Sequence, residues 1–242
     1  MENGLYVGLS RQLVLETGMN LVANNIANLN TPGYRAQQPL FKEFISDPRG
    51  NDDPISMVND YGQYDITAPG PMRLTGNELD IALTGPGFIG VDSGNGEIQY
   101  TRAGNFSLNN EREIVTSAGY RVSSDNGGFI KIPEGIKSIS IDQRGVITTD
   151  QGGVGQIMVH EFRNPQSLTP SGNGLYRTTE QGTEAVNTVV LQGQVEGSNV
   201  NPMLEMTRMI EVSREYQSMQ RMLQNDHERQ QSAIQRLGRP QQ

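Results

Sequence analysis

The most informative absences in this sequence are cysteine and tryptophan. The 242-residue chain contains neither residue, and it has only two histidines, His160 and His227. Without thiols there are no disulfide frameworks, thiolate metal sites or cysteine nucleophiles. Two histidines far apart in sequence also leave most pairs of a nucleophile and a base without candidates. The chain therefore has few of the residue types that form common catalytic centres.

Long apolar runs and an excess of basic residues are also missing. Only 34% of the residues are hydrophobic, and no run approaches the roughly 20 apolar residues that span a bilayer. The net charge is −8, whereas binding to a phosphate backbone needs clustered Lys and Arg, so no nucleic-acid partner is expected. Glu2 precedes any basic residue and no apolar core follows, so we expect no cleavable secretory signal.

Charge and glycine divide the chain into three segments. Residues 1–45 carry three basic and three acidic side chains, and residues 201–242 carry six and five. The central segment, 46–200, carries 10 basic and 19 acidic side chains and holds 23 of the 28 glycines. This distribution predicts three domains: an N-terminal helix with a following extended or hairpin segment (1–45), a β-rich domain (46–200) and a C-terminal helix (201–242).

Both end segments have the apolar spacing of amphipathic helices. In the first, Leu15, Met19, Val22, Ile26 and Leu29 repeat at intervals of four and three residues. We expect Leu5, Leu9 and Leu13 to extend this apolar face toward the N-terminus. In the last segment the repeat comprises Met206, Met209, Val212, Tyr216, Met219 and Leu223, with Ile234 and Leu237 in the same register. Asn201 is the expected N-cap of this helix and Pro202 its first residue.

The central segment reads as short strands separated by turns. Alternating or β-branched pieces occur at residues 79–83, 87–91, 119–122, 139–141 and 189–191, and Gly- and Asn-rich turns separate such pieces. Strands with turn signals every 8 to 12 residues are typical of an antiparallel sandwich or barrel. The predicted fold class is therefore α+β, with terminal helices that pair as a coiled coil around a mostly antiparallel all-β centre.

Motifs that suggest chemistry are weak. Gly85, Gly87 and Gly90 have the spacing of a dinucleotide-binding loop, but strand and turn residues follow where a helix should begin. Asp92 to Glu97 lacks ligands that a calcium loop needs, so a hairpin turn is expected there. His160 is expected in a strand and His227 on a solvated helix face. A pair of catalytic carboxylates among the central acidic residues remains open.

Two features are unusual for an ordinary globular domain. Asn20, Asn24 and Asn28 recur every four residues, with Asn25 beside them. Asn in a helix is either exposed or near an end, or it forms interhelical hydrogen bonds that fix register. The second feature is a set of methionines near the C-terminus, Met203, Met206, Met209, Met219 and Met222, which suits core packing or adaptable contacts.

Three motifs together resemble the flagellar rod and hook protein family. The first runs from Ala23 to Asn28 and from Asn30 to Arg35, and the last comprises Val195 to Pro202 and the Glu205-Met206 and Arg214–Gln217 stretches. The central one comprises Leu79–Ala82, Gly85–Phe88 and Tyr100–Phe106. The length favours a rod protein over a hook protein, and both chain ends resemble a proximal rod protein more than the distal one.

The resemblance implies a structural subunit of the flagellar basal-body rod. Such proteins pass unfolded through the flagellar type III export apparatus and assemble in the periplasmic space. Their terminal helices form an inner layer that lines the export channel, and interlocked helices transmit torque from motor to hook. The implied partners are copies of the same chain, other rod proteins including the distal rod protein, and the export apparatus. We expect no enzymatic activity, no cofactor, no metal and no small-molecule substrate.

The resemblance also indicates which residues form the assembly interface. The expected interface residues are Leu5, Leu9, Leu13, Met19, Val22, Asn24, Asn25, Ile26, Asn28, Met206, Met209, Val212, Tyr216, Met219 and Leu223. The alternatives are a distal-rod or hook subunit and, from a different class, a secreted carbohydrate-active β-domain enzyme.

Overall fold

Two long helices open and close the chain. The computed structural model describes residues 2–46, 55–94 and 96–237, and the side chains of 6–45, 56–94 and 96–235. Helix α1 spans Glu2–Ala27 and helix α2 spans Pro202–Leu237. The Asn201 side-chain oxygen accepts the backbone N–H groups of Met203 and Leu204, at 3.1 and 3.3 Å. Both predicted helices and the predicted cap are confirmed.

Eighteen strands lie between the helices in the described residues. The first nine are β1 (Gln37–Ser46), β2 (Ile55–Asp65), β3 (Met72–Leu74), β4 (Ile81–Thr84), β5 (Phe88–Asp92), β6 (Ile98–Thr101), β7 (Phe106–Leu108), β8 (Ile114–Thr116) and β9 (Arg121–Val122). The others are β10 (Ile139–Ile141), β11 (Val146–Thr149), β12 (Gly152–Gln156), β13 (Val159–Glu161), β14 (Thr169–Gly172), β15 (Leu175–Arg177), β16 (Thr183–Glu184), β17 (Val189–Gln192) and β18 (Gln194–Glu196). A short 3-10 turn covers Pro165–Ser167.

One compact unit contains both helices and a hairpin. It comprises Met1–Ala27, Gln37–Asp65 and Asn201–Gln242. The helices run antiparallel, since Asn25 lies beside Glu205 at one end and Gly8 beside Leu223 at the other. Strands β1 and β2 form an antiparallel ribbon that packs against α1. The helix pairing expected from the sequence is therefore confirmed.

The other compact unit contains the remaining strands. It comprises Asn28–Ala36 and Ile66–Val200, and all its described strand pairs are antiparallel. Its largest sheet has the order β14-β15-β6-β5-β9-β8-β7, with β13 on β5 and β16 on β13. Branched aliphatic side chains from this and the smaller sheets, such as Ile89, Val122, Ile132 and Ile147, form a fully buried core. The antiparallel β region is as predicted.

The boundaries of the two compact units differ from those of the three predicted segments. The hairpin β1–β2 crosses the expected boundary at residues 45 and 46 and groups with the helices. Residues 28–36 group with the β region instead. Composition follows chain order, whereas a compact unit follows contacts between distant segments. Neither described helix is long and apolar enough to cross a membrane.

Candidate functional site

The α1–α2 contact uses a single stripe of α2. Along this stripe Met209, Val212, Tyr216, Met219 and Leu223 are half-buried at successive turns. The Gln12 side-chain amide donates a hydrogen bond of 2.9 Å to the Tyr216 hydroxyl. Gly8 allows the closest approach, because a Cβ there would lie 2.7 Å from the Leu223 Cδ2 atom. The predicted stripe thus packs within the chain, which completes one face of each helix.

The N-terminal end of α1 differs from the expectation. Leu9 and Leu13 are 52% and 57% exposed and do not continue the buried face of Leu15 and Val22. At about 100° per residue, Leu9 lies roughly 120° and Leu13 roughly 160° around the helix from Leu15. The prediction that they extend that face is wrong, and Gly8 and Gly18 are buried there instead.

The other predicted interface residues differ in how deeply their side chains are buried. Val22 is buried, Met19 and Ile26 are half-buried, and Met206 is exposed on α2. The side chain of Leu5 lies outside those that the structure describes. The methionines also divide, with Met209 and Met219 in the helix pair and Met203, Met206 and Met222 exposed. A role for these residues in assembly stays a prediction.

Asn25 forms the polar centre of the helix–hairpin unit. Its amide NH2 donates to the Gln37 carbonyl at 2.9 Å and to the Glu205 carboxylate at 3.2 Å. Its side-chain oxygen accepts the Gln37 N–H at 2.9 Å. Glu205 is buried as well and also accepts from Arg208 at 3.0 Å. One asparagine therefore sets the register between α1, α2 and the start of β1.

The neighbouring asparagines play other parts. Asn20 and Asn24 are exposed, and Asn28 accepts a 3.0 Å hydrogen bond from the Thr31 hydroxyl in the turn after α1. Both interpretations of the asparagine repeat therefore apply, but to different residues. Interhelical bonding belongs to Asn25, which lies one position off the four-residue repeat.

A buried ion cluster lies in the β unit. The Glu196 carboxylate is 3.3 Å from the Arg35 guanidinium and 3.4 Å from that of Arg102, and none of the three side chains is more than 6% exposed. Arg35 also donates to the carbonyls of Thr67 and Ala68, and Arg102 to those of Leu83 and Gly85. Burial lowers the pKa of Arg102 to about 10, and Glu196 opposes this shift.

This ion cluster joins three distant stretches of sequence. Gly33, at φ +67°, places its backbone N–H 2.8 Å from the Glu196 carbonyl, and a Cβ on it would lie 2.4 Å from the Arg102 carbonyl carbon. Asn199 accepts from the Ala36 N–H at 2.7 Å and donates to the carbonyls of Ile66 and Ala68. Each motif that carries the resemblance contributes one residue to the cluster.

Arg35, Arg102 and Glu196 lie within the three motifs but were not among the predicted site residues. Their only signal was an isolated charge in a short stretch of small and apolar residues. Such a charge suggests a buried ion pair, but the partner is separated by up to 161 positions in this chain. Only the fold brings the three together.

The weak chemical motifs have ordinary structural roles. Residues Phe88–Asp92, after the Gly85–Gly87 stretch, form strand β5, and the Ser93 N–H beyond it donates to the Glu97 carbonyl at 3.5 Å, just before β6. His160 lies in β13, as predicted, and bonds the Tyr100 hydroxyl at 3.2 Å. Within the described residues no group of three His, Asp or Glu side chains is placed to hold a metal.

Comparisons with known proteins agree with this geometry. Residues 5–35 match the family model described as flagella basal body rod protein, residues 82–149 match the flagellar hook protein FlgE/F/G D1 domain, and residues 191–236 match the flagellar basal body rod FlgEFG protein C-terminal. The flagellar basal-body rod protein FlgF of Caulobacter vibrioides is 37% identical over 244 residues, covering 99% of both chains. The chain belongs to the flagellar basal-body rod protein family.

Two further relatives are similar to this rod protein over nearly its whole length. FlgF of Mesorhizobium japonicum is 32% identical and covers 98% of this chain and 99% of the relative. FlgG of Bacillus subtilis is 34% identical and covers 92% of this chain and 94% of the relative. The three matched regions contain Arg35, Arg102 and Glu196 respectively, so each region contributes one residue to the buried cluster.

Proposed function

We propose that this chain is a structural subunit of the bacterial flagellar rod, in the position that FlgF occupies. The observation that carries the proposal is the one-sided pairing of the terminal helices. While α2 covers one face of α1, Leu9 and Leu13 on α1 and Met206 and Ile210 on α2 are each about half exposed. Apolar residues in these positions gain their burial only when neighbouring subunits pack against the helix pair.

The energetics favour assembly over a soluble dimer. Fully burying one exposed Leu, Ile or Met side chain contributes roughly 1.5–3 kcal/mol. Over one pair of surfaces such gains are similar in size to the roughly 4–15 kcal/mol that association costs in lost freedom of motion, so a single contact leaves little net stabilisation. A subunit that touches several neighbours adds these contributions over all its contacts. The isolated chain is therefore expected to be monomeric.

The remaining parts of the proposal follow from the family. The chain passes through the flagellar type III export apparatus and assembles in the periplasmic space with copies of itself and other rod proteins, including the distal rod protein. The helices line the channel, and their interlocking transmits torque from motor to hook. Coverage of 98–99% of the FlgF relatives and this chain supports the FlgF position.

A distal-rod position is the second candidate, because FlgG of Bacillus subtilis is nearly as similar at 34% identity. The two positions predict different stages of appearance. Immunodetection in basal bodies stalled before the distal rod forms separates them. Presence at that stage supports the FlgF position, and absence until the distal rod forms supports the FlgG position.

Replacing an outward leucine tests the assembly role. We expect Leu9→Asp to abolish basal-body incorporation and motility while far-UV circular dichroism stays unchanged, because the side chain is exposed in the free subunit. Leu223→Asp should also reduce the helical signal, since Leu223 packs within the chain. Leu74→Asp is the matched control: this leucine is exposed on β3. Full motility of the Leu9→Asp strain would refute the proposal.

A further inference from the structure

The last turns of α2 continue the packing stripe past its described contacts with α1. Those contacts run from Glu205, beside Asn25, to Leu223, beside Gly8. Ile234 follows Leu223 by eleven residues, or about three turns, and so lies on the same face of α2. Unlike the stripe residues before it, Ile234 is 69% exposed. We name the stretch 228–237 the α2 extension.

An apolar groove lies elsewhere in the same unit, between α1 and the hairpin. Its volume is about 420 Å³, and its lining includes Leu13 and Val14 of α1, Phe44 of β1, and Met57 and Val58 of β2. Ser10 and Thr17 mark its ends, so it follows roughly two turns of α1 or about 11 Å. Leu13 and Phe44 are both more than half exposed, which leaves the groove open to an apolar partner.

We propose that the α2 extension of one copy docks in the α1–hairpin groove of a second copy. This inference rests on the proposed assembly role and names the contact that performs it. Ile234 would fill the apolar space beside Leu13, Phe44 and Val58. The extension spans about 15 Å, so it is long enough to cover the groove.

The chain's own extension cannot reach this groove. Gln12, at the level of the groove, bonds Tyr216, and Ile234 lies 18 residues farther along the same helix. That separation is about 27 Å along a continuous helix, which does not fold back on itself. An α2 extension that docks in this groove must therefore come from another chain.

Charge and continuity favour a second copy as that chain. Strands β1 and β2 carry three acidic and one basic side chain, and Asp60 lies on the groove itself. The extension carries two arginines and one glutamate, so it has the opposite sign. The stripe that it continues packs against α1 within each chain as far as Leu223, so the same face of α2 would serve both contacts. Because groove and extension lie on different surfaces, the contact is heterologous and can repeat from copy to copy.

Disulfide trapping tests the contact, because the natural chain has no cysteine. Full-length Val58→Cys protein is mixed with full-length Ile234→Cys protein and oxidised at high concentration. A disulfide requires Cβ atoms about 3.5–4.5 Å apart. The matched control is Ser232→Cys, an exposed position roughly 160° around the helix from residue 234. Circular dichroism checks that each variant keeps its helices.

We expect the Val58–Ile234 mixture to form mixed disulfide dimers at least about ten times faster than the Val58–Ser232 mixture, because a disulfide tolerates only short Cβ separations. Equal rates would overturn the inference. In cells that express the double variant, the cross-linked product in purified basal bodies should contain two copies of this chain. A product with a different rod protein would overturn the choice of a second copy.

The same preparation separates this inference from the proposed function. The inference alone fails if the protein is present in basal bodies but the cross-link is missing. The proposed function fails if the single-cysteine variants and the natural chain are all absent from basal bodies while the rest of the rod is present.

Discussion

Replacing Glu196 by glutamine tests the buried ion cluster directly. The substitution keeps the side-chain volume and an oxygen that can accept the Gly70 N–H, which lies 3.1 Å from the carboxylate. It removes the negative charge that faces Arg35 and Arg102, so two buried guanidinium groups lose their counter-ion. The new amide NH2 group is a hydrogen-bond donor, and it would face guanidinium groups that are themselves donors.

The expected loss is large for a single substitution. Removing one partner of a buried ion pair costs about 3–5 kcal/mol, because the remaining charge stays buried without compensation. The whole free energy of unfolding of a typical domain is only about 5–15 kcal/mol. At roughly 2–4 °C per kcal/mol, the melting temperature of the β unit should fall by about 6–20 °C.

Tyrosine signals give the appropriate assay, since the chain has no tryptophan. Tyr100 and Tyr176 are buried in the β unit, so near-UV circular dichroism during urea unfolding reports chiefly on that unit, with a smaller contribution from the half-buried Tyr216 of α2. Glu97→Gln, at an exposed position of the same unit, is the matched control. Glu196→Asp, which keeps the charge on a shorter side chain, should give an intermediate loss. A Glu196→Gln protein whose free energy of unfolding lies within about 1 kcal/mol of that of the natural chain would refute the reasoning. Such a loss would be smaller than the cost of leaving a buried charge unpaired.

Three further substitutions probe other parts of the structure by urea unfolding. Gly8→Val should destabilise the helix pair by about 1–3 kcal/mol, because its Cβ would lie 2.7 Å from Leu223, and adding Leu223→Ala should restore part of the loss. Arg112 has φ 63° and bonds the carbonyls of residues 132 and 133. Arg112→Ala should be about 1 kcal/mol less stable than Arg112→Gly, because glycine adopts this φ without strain, and equal stabilities would contradict that account. Burial lowers the pKa of His160 below its usual 6.5. The stability it contributes is present above that value and is lost as the pH falls through the folded-state pKa, so His160→Gln should flatten the acid limb of the stability profile. An unchanged limb would contradict this expectation.

The sequence by itself determined the helices and the general character of the centre. The Asn201-Pro202 start of α2 is a local signal, because a cap depends only on the side chain and the next few backbone N–H groups. Strands at 139–141 and 189–191 were also predicted, since β-branched residues between turns favour them locally. Local preferences of this kind survive in the tertiary structure because nothing there opposes them.

Which face of α1 is buried was decided only by the tertiary structure. Leucines at 9, 13 and 15 are equally apolar, and periodicity alone did not show that the small residue Gly8 would lie against α2 while Leu9 and Leu13 stayed exposed. Close helix packing selects small side chains, and this preference overrides a simple count of apolar residues.

The partners of the buried polar residues were likewise not predictable from the sequence. Asn25 finds its partners at residues 37 and 205, and Glu196 finds its partners at 35 and 102. Composition identified an acidic centre and neutral ends, but a charge or an amide in a sequence does not specify its partner. Distance and burial decide the pairing, and both arise only when distant segments pack together. The sequence therefore determined the helices, several strands and the family, and the tertiary structure decided which residues hold these elements in place.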